Sequence, residues 1–235
     1  MIDINQLKKE AQAIGLCLDD TQLEMFNRFA AMLVETNRQF NLTAIKTPQE
    51  VVTKHFVDSL TVFTAADISG GSKVIDIGTG AGFPGIPMLI YDSSLELTML
   101  DSTGKKLDFV RNALSELGID AQVIHGRAEE LGRGDLRERF DFAVSRAVAS
   151  LNALCEYCLP FVRTGGMFIA LKGSKADDEL AVSGTAIKTL GGKLVGSKQI
   201  ALADKQTRNL VKIEKSSVTP PKYPRPSAQI FKKPL

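Results

Sequence analysis

The spacing of apolar residues along this chain changes near residue 70. Before that point they recur every three or four positions, as in 7–14 and 23–33, which predicts amphipathic helices. Two patterns are typical of helix starts, Thr21-x-x-Glu24 and Thr47-Pro48-x-Glu50. Since this part of the sequence lacks a strand pattern, we expect residues 1–68 to form a helical cap on a sheet.

From residue 69 onward, strand and helix patterns alternate. Strands are predicted near 73–77, 95–101, 121–125, 139–145, 166–172, 193–203 and 208–215, and helices near 85–91, 104–117, 147–160 and 175–189. This alternation predicts a mostly parallel sheet covered on both faces, and the close spacing of the last two strands suits an antiparallel hairpin. Four prolines between 220 and 226 predict an irregular final segment. We therefore expect residues 69–235 to form an α/β domain.

A glycine-rich loop follows the first predicted strand. That strand carries Asp76, and four glycines follow it within eight positions: Gly78, Gly80, Gly82 and Gly85. Glycine allows positive φ and leaves no side chain between the main chain and a ligand. Such a loop is where α/β domains bind nucleotides. Asp101 closes the second predicted strand, 25 positions after Asp76, and can accept hydrogen bonds from ribose hydroxyls.

The loop alone leaves more than one ligand open. The dinucleotide fingerprint would place its third glycine at position 83, which is Phe83. The triplet Gly78-x-Gly80-x-Gly82 behind Asp76 instead resembles motif I of S-adenosylmethionine-dependent methyltransferases. Because NAD enzymes also place an acid where Asp101 lies, an NAD-type oxidoreductase stays an alternative. A tight strand-to-helix turn without a ligand is the other one.

Composition excludes several classes of protein. With 235 residues, 44% of them hydrophobic, the chain can bury a full core without a disulfide or metal. It has no apolar run of about 18 residues for a membrane span and no leader-like start. Cys155-x-x-Cys158 has no second pair, and His55 and His125 are the only histidines. We expect a reduced, cytoplasmic, metal-free protein.

Positive charge is concentrated at the C-terminal end. The net charge is only +2, but residues 205–235 hold eight lysines and arginines against the single acid Glu214. This segment therefore carries +7, and residues 1–204 carry −5. Such a basic stretch beside an acidic body favours contact with nucleic-acid phosphates. A basic tail that is merely solvated is equally compatible with the charges.

Several short motifs, in a fixed order, resemble one family. Residues 76–87 read D-I-G-T-G-A-G-F-P-G-I-P, and further motifs are Asn37-Arg38-x-Phe40-Asn41-Leu42-Thr43, His55-Phe56-x-Asp58-Ser59-Leu60, Leu100-Asp101-Ser102, Gly126-Arg127-Ala128-Glu129-Glu130, Ser145-Arg146-Ala147 and Leu171-Lys172-Gly173. This set is similar to the glucose-inhibited division protein B family, the small-subunit ribosomal RNA guanine-N7 methyltransferases called RsmG. The similarity spans about residues 20–175. The tail departs from it, because 226–231 lacks the small, glycine-containing link expected there.

The resemblance implies a fold, a cofactor and a substrate. The fold is the α/β, Rossmann-like class I S-adenosylmethionine-dependent methyltransferase, a seven-stranded, mostly parallel sheet with an N-terminal helical extension. The cofactor is S-adenosyl-L-methionine. The reaction is methylation of N7 of a guanine, guanine-527 in conventional rRNA numbering, in 16S ribosomal RNA. The partner is therefore 16S rRNA or the small ribosomal subunit, with no membrane and no metal.

Residue roles follow from the family positions and from predicted strand ends. The expected cofactor-binding residues are Gly78, Gly80, Phe83 through its main chain, Asp101, Ala128, Glu129 and Arg146. Three cations at or just beyond strand ends are reasonable RNA contacts: Lys105, Arg127 and Lys172. We expect His55 and Asp58 to link the helical cap to the core.

No catalytic side chain is expected. Guanine N7 is an unprotonated ring nitrogen with an exposed lone pair, so methyl transfer to it needs no general base, and positioning should supply the catalysis. Exocyclic amine methyltransferases carry Asn/Asp-Pro-Pro-Tyr where this chain has Ser145-Arg146-Ala147-Val148, and cytosine-C5 enzymes need a suitably placed cysteine. A non-enzymatic RNA-binding module and a methyltransferase for a small metabolite stay as alternatives.

Overall fold

The computed structural model describes residues 1–45, 47–146 and 148–235, and the chain begins with helices. The helical elements before the sheet are α1 (Ile4–Ala13), α2 (Asp20–Gln39), α3 (Pro48–Glu50), a π-helix (Val51–Val57), α4 (Asp58–Leu60) and a 3-10 helix (Thr61–Thr64). Thr47 caps α3 as predicted, since its hydroxyl accepts a hydrogen bond from Glu50 N at 3.3 Å. The box predicted at Thr21 is wrong. Asp19 and Gln22 form it instead, with Gln22 N donating to Asp19 Oδ1 at 2.8 Å, so the helix begins before Thr21.

Seven strands form one sheet, as predicted. They are β1 (Lys73–Ile77), β2 (Glu96–Asp101), β3 (Gln122–His125), β4 (Phe140–Arg146), β5 (Val162–Lys172), β6 (Gly192–Ala201) and β7 (Thr207–Lys215). Their order is β3-β2-β1-β4-β5-β7-β6. The first five in that order pair in parallel, and β7 is antiparallel to both of its neighbours. The order reverses at β1, and ligands of open α/β sheets bind outside the carboxyl ends of the strands at such a point.

The remaining helices connect the strands or follow them. They are α5 (Gly85–Tyr91), α6 (Gly104–Leu117), α7 (Ala128–Leu131), α8 (Leu151–Cys158), a 3-10 helix (Leu159–Phe161), α9 (Ala176–Thr189) and α10 (Ser227–Lys232). Gly118 ends α6 with φ +67°, a left-handed conformation that favours glycine at the end of a helix. None of the helices in the described ranges has the length and apolar character needed to cross a membrane.

Two predicted element starts differ from the structure by four residues, and one segment predicted to be irregular contains a helix. The helix predicted over 147–160 begins at Leu151, with Ser150 as its N-cap, and Ala147 lies outside the described residues. Strand β5 begins at Val162 rather than near 166, because the register with β4 shifts between Phe140 and Phe142 and admits the extra residues. The segment predicted to be irregular contains α10, because Pro226 occupies the N-cap, where it needs no helical hydrogen bond.

The sheet is covered on both faces by helices. Val74 faces a hydrophobic cluster shared with α1, α2, α5 and α6, and Ile75 faces a second cluster shared with α8 and α9. Phe29 of α2 lies at the centre of the first cluster, with its ring centroid 5.8 Å from that of Phe56 and 5.4 Å from that of Phe83. The N-terminal helices thus share a core with the sheet. Division into a cap and a methyltransferase domain at residue 68 stays a prediction.

Candidate functional site

A cavity of about 1050 Å³ opens at the carboxyl ends of the parallel strands, beside the point where the strand order reverses. This volume is larger than a ligand of nucleoside dimensions needs. The loop after β1 and the ends of β2, β3 and β4 supply its floor. Residues 42–45 and the C-terminal segment around α10 line it as well.

The glycine loop after β1 brings bare main chain to this cavity. Gly78 has φ +75° and Gly80 has φ +60°, conformations that side chains rarely allow. A Cβ placed on Gly80 would meet no protein atom nearer than the carbonyl oxygen of Gly78 at 4.0 Å, so it would project into the cavity. A Cβ on Gly78 would instead strike Val148, and one on Gly82 would strike Ile86. Gly80 is therefore the uncovered glycine of the loop.

Two buried oxygen atoms below the loop lack partners. Asp76 is fully buried and accepts a hydrogen bond from Gly85 N at 2.9 Å through Oδ2. Its Oδ1 and the Thr79 hydroxyl have no hydrogen-bond partner within the described part of the chain. Burial raises the pKa of Asp76 to about 7. Because buried polar atoms normally find partners, a ligand or water with donor groups is expected beside Thr79, which lines the cavity.

Asp101 fixes the loop from the end of β2. Its Oδ2 accepts a hydrogen bond from Gly80 N at 2.8 Å, and its Oδ1 accepts one from Thr103 N at 2.8 Å. Each carboxylate oxygen has further acceptor capacity, and Asp101 lines the cavity. The carboxylate is thus held in place at the edge of the cavity.

The end of β3 brings Ala128 and Glu129 to the same cavity. Both lie at the start of α7, where an acid is favoured by the helix dipole. Glu129 is buried, and Arg127 Nε donates to its Oε1 at 2.6 Å. The structure therefore brings together all seven predicted cofactor-binding residues around one cavity: Gly78, Gly80, Phe83, Asp101, Ala128, Glu129 and Arg146.

Arg146, at the end of β4, is held by the helical segment. Its Nη1 donates to Lys54 O at 2.8 Å and to Asp58 Oδ2 at 3.0 Å. Asp58 is fully buried and also accepts both Nε and Nη2 of Arg208 from β7. Burial lowers the pKa of Arg146, and the Asp58 carboxylate opposes this effect. One buried carboxylate therefore pairs with two arginines from different strands and offsets one of their two positive charges.

His55 completes the contacts of Arg146. Arg146 Nη2 lies 3.0 Å from His55 Nδ1, and since a guanidinium can only donate, Nδ1 must accept. The imidazole proton is then on Nε2, which lies 2.9 Å from the Thr43 hydroxyl. The ring stacks on Phe83 with centroids 4.2 Å apart. The prediction that His55 and Asp58 link the helices to the core is confirmed.

The environment of His55 removes it from acid–base chemistry near neutral pH. Burial and the charge of Arg146 lower the pKa of His55 from 6.5 to about 3. The imidazole is therefore neutral in the folded protein at neutral pH, and both of its nitrogens already have hydrogen-bond partners.

The three predicted RNA contacts lie in different surroundings. Lys105 is exposed, with Nζ 6.0 Å from the centroid of the Phe40 ring. Arg127 is half exposed beside Glu129. Lys172 is only 7% exposed, and its Nζ is bonded to Ala149 O at 2.7 Å and to Glu179 at 2.6 Å. Since its ammonium group stabilises the chain after β4, we leave Lys172 out of the proposed RNA surface.

Part of the basic C-terminal charge is neutralised within the protein. Arg208 pairs with Asp58, Lys215 with Glu138, and Arg225 with Glu156. Lys215 is fully buried, and burial lowers its pKa. The lysines of this region classed as exposed are Lys205, Lys222, Lys232 and Lys233. The segment therefore presents less positive charge to solvent than its sequence indicates.

Sequence reasoning missed three contributors to the cavity. They are Thr43 with its neighbours, Val148 above Gly78, and the C-terminal residues Ser227, Ile230, Phe231 and Pro234. Thr43 belongs to a motif of the resembling family and the tail departs from it, but neither had a signal for a position beside the loop. Their approach depends on chain folding over long sequence distances.

The cysteines carry no metal site. Cys155 and Cys158 are buried in α8, and burial raises the pKa of both thiols. Within the described ranges, no group of three or more histidine, cysteine, aspartate or glutamate side chains is arranged to hold a metal ion.

The strand order, the bare glycine loop and the acid at the end of β2 together define a class I S-adenosylmethionine-dependent methyltransferase. A solved S-adenosylmethionine-dependent methyltransferase from Aquifex aeolicus has the same fold, with a TM-score of 0.54 and 15% identity over 71% of this chain and 93% of that one. The unpartnered oxygens and the open face of Gly80 fit such a cofactor.

Closer relatives give the family. A family model described as rRNA small subunit methyltransferase G matches residues 22–211. The ribosomal RNA small subunit methyltransferase G of Alkaliphilus metalliredigens is 46% identical over 97% of both chains, and that of Lactobacillus acidophilus is 44% identical over 93% of both. The chain belongs to the rRNA small subunit methyltransferase G family. It is an rRNA methyltransferase whose cofactor is S-adenosyl-L-methionine. The family therefore favours methyl transfer over the NAD-type oxidoreductase.

Replacement Asp58→Asn tests the charge network. It leaves two arginines buried without their carboxylate, and we expect a loss of about 3–5 kcal/mol in the free energy of unfolding, measured in urea. The matched control is Asp108→Asn, which removes an exposed helical pair with Arg111 and should change stability by less than about 0.5 kcal/mol. Equal stability of the two variants would show that Asp58 does not hold the site together.

The neutral state of His55 predicts a pH dependence. Between about pH 3 and 6.5 the unfolded chain binds a proton at His55 that the folded protein does not, so acid destabilises the fold across this window. The stability gained because His55 stays neutral in the folded protein is fully present above pH 6.5. In His55→Gln, the slope of unfolding free energy against pH should fall by up to about 1.4 kcal/mol per unit in this range. An unchanged slope would contradict the assignment. So would an NMR titration in which the His55 imidazole of the folded protein takes up its proton near pH 6.5.

Proposed function

We propose that this protein methylates N7 of a guanine in 16S ribosomal RNA, guanine-527 in conventional rRNA numbering. The observation that carries the choice of N7 is the state of His55. It is the one histidine among the described residues that line the cavity, and it is neutral and bonded through both nitrogens. A cavity whose histidine is already bonded through both nitrogens suits an acceptor that needs no deprotonation by it, and guanine N7 is such an acceptor.

We assign the cofactor to the main chain around Gly80. S-adenosyl-L-methionine, when bound, supplies an electrophilic methyl group on its sulfonium. Gly78 and Gly80 flank the methionine portion, Asp101 accepts from the ribose hydroxyls, and Ala128 with Glu129 borders the adenine. Phe83 and Arg146 complete the wall, with Arg146 set in place by Asp58 and His55. These assignments rest on the position of each residue around one cavity.

The protein's contribution to catalysis is positioning. A nucleophile must come within about 3–3.5 Å of the carbon that it attacks, with the correct alignment. A guanine inside a helix cannot do so, which makes a single-stranded or extruded nucleotide the substrate. We place RNA phosphates near Lys105 and Arg127: Arg127 lines the cavity, and Lys105 is exposed at the start of α6, which follows β2. Residues 1–68 act as a cap that contributes Thr43 and Asp58 to the site of the methyltransferase domain, residues 69–235.

The proposal is tested by mapping N7-methylguanine. Small-subunit rRNA from cells with and without this protein is probed for the modified base by borohydride and aniline cleavage. We expect one site, guanine-527, to lose methylation when the protein is absent and to regain it when the gene is restored.

Purified protein with labelled cofactor then identifies the form of the substrate. Transfer is measured to naked 16S transcript and to small subunits from the deficient cells. Label at the same guanine in either form supports the proposal. Label at another base, another ring atom or only in a small metabolite would refute it.

A further inference from the structure

The C-terminal helix α10 exposes a phenyl ring beside the cavity. Phe231 is 86% exposed, whereas the preceding Ile230 is completely buried. Both residues line the cavity. Leaving a phenyl group in water forgoes the stabilisation that its burial would give. A binding partner for the ring outside the protein would account for its position.

The exposure of Phe231 does not come from a loose chain end. Arg225 donates to the buried Glu156 from both its backbone N, at 2.7 Å, and its Nη2, at 2.7 Å. Arg133 Nε donates to Pro224 O at 2.7 Å. At the very end, Asn152 Nδ2 donates to Leu235 O at 3.3 Å. The tail is therefore attached to the body before and after α10, and the helix that carries the ring is held where it is.

The chemistry around the ring favours a nucleobase. Lys232 and Lys233 follow directly and are exposed. An aromatic face beside cations is the combination that binds single-stranded RNA, because bases stack on the ring while lysines meet the phosphates. A protein partner would favour a wider apolar surface, and the neighbours Gln229 and Lys232 in this helix are polar and exposed.

We propose that Phe231 is a base-stacking residue for the RNA substrate at the mouth of the cofactor cavity, with Lys232 and Lys233 contacting adjacent phosphates. This inference rests on the proposed function and adds to it a substrate-positioning element. It gives a role to the part of the tail that departs from the pattern of the resembling family.

Three replacements at one position separate stacking from simple apolar contact. In Phe231→Ala the loss of one stacked base should weaken binding of a 16S transcript by about five- to a hundredfold. Phe231→Trp should retain binding, and Phe231→Leu, which keeps apolar area without a π face, should not. The matched control is Val182→Ala, which truncates an exposed apolar residue on α9 and should leave binding unchanged.

Protein stability and cofactor affinity distinguish stacking on RNA from a structural role of the ring. Since the ring is exposed, Phe231→Ala should unfold at the same urea concentration as the wild type, and its affinity for S-adenosyl-L-methionine by calorimetry should be unchanged. Lys232→Ala with Lys233→Ala should reduce the salt dependence of RNA binding by about two phosphate contacts.

Three outcomes would overturn the inference while leaving the proposed function intact. One is wild-type methylation with equal RNA affinity in Phe231→Ala. Another is full binding by Phe231→Leu, which would show apolar contact without stacking. The third is a loss of cofactor affinity in Phe231→Ala, since the ring would then belong to the cofactor site. Failure of the wild type to methylate rRNA would instead refute the proposed function itself.

Discussion

The uncovered main chain at Gly80 is the constraint on which the site depends. A cofactor can lie against the end of β1 only if the loop turns there without a side chain, and the positive φ of Gly80 provides that turn. Asp101 holds the loop through Gly80 N, so the same carboxylate that borders the cavity also sets its floor. The parallel arrangement of β1 and β2 brings these two residues together from 21 positions apart in the chain.

Asp58 extends this arrangement to the rest of the molecule. Its single buried carboxylate connects the N-terminal helices to Arg146 on β4 and Arg208 on β7. Removing a buried carboxylate from two charged partners is strongly unfavourable, whereas the complete network is satisfied. These ion pairs thus fix the part of the cavity wall that Asp58, Arg146 and Arg208 form. The helical segment serves the site as well as the core.

The sequence predicted the fold well because its patterns are local. Apolar spacing located all seven strands, and the glycines with Asp101 predicted a loop that the structure places at the cavity. Long-range contacts were harder to predict. Lys172 lies at a strand end as expected, but Glu179 binds it from the next helix, and no spacing rule predicts that pair. The sequence did not predict a role for Phe231, because a single phenylalanine in a proline-rich tail forms no repeating pattern of apolar residues.

The most direct test of a cofactor site at Gly80 is calorimetric titration of Gly80→Ala with S-adenosyl-L-methionine. The matched control is Gly118→Ala, which also has a left-handed backbone (φ +67° against +60°) and open space around its Cβ, but lies at the end of α6. Both variants should lose about 1–2 kcal/mol of stability from backbone strain. Only Gly80→Ala should lose cofactor affinity, by about tenfold or more, because its methyl group enters the cavity. Wild-type affinity in Gly80→Ala would contradict the account.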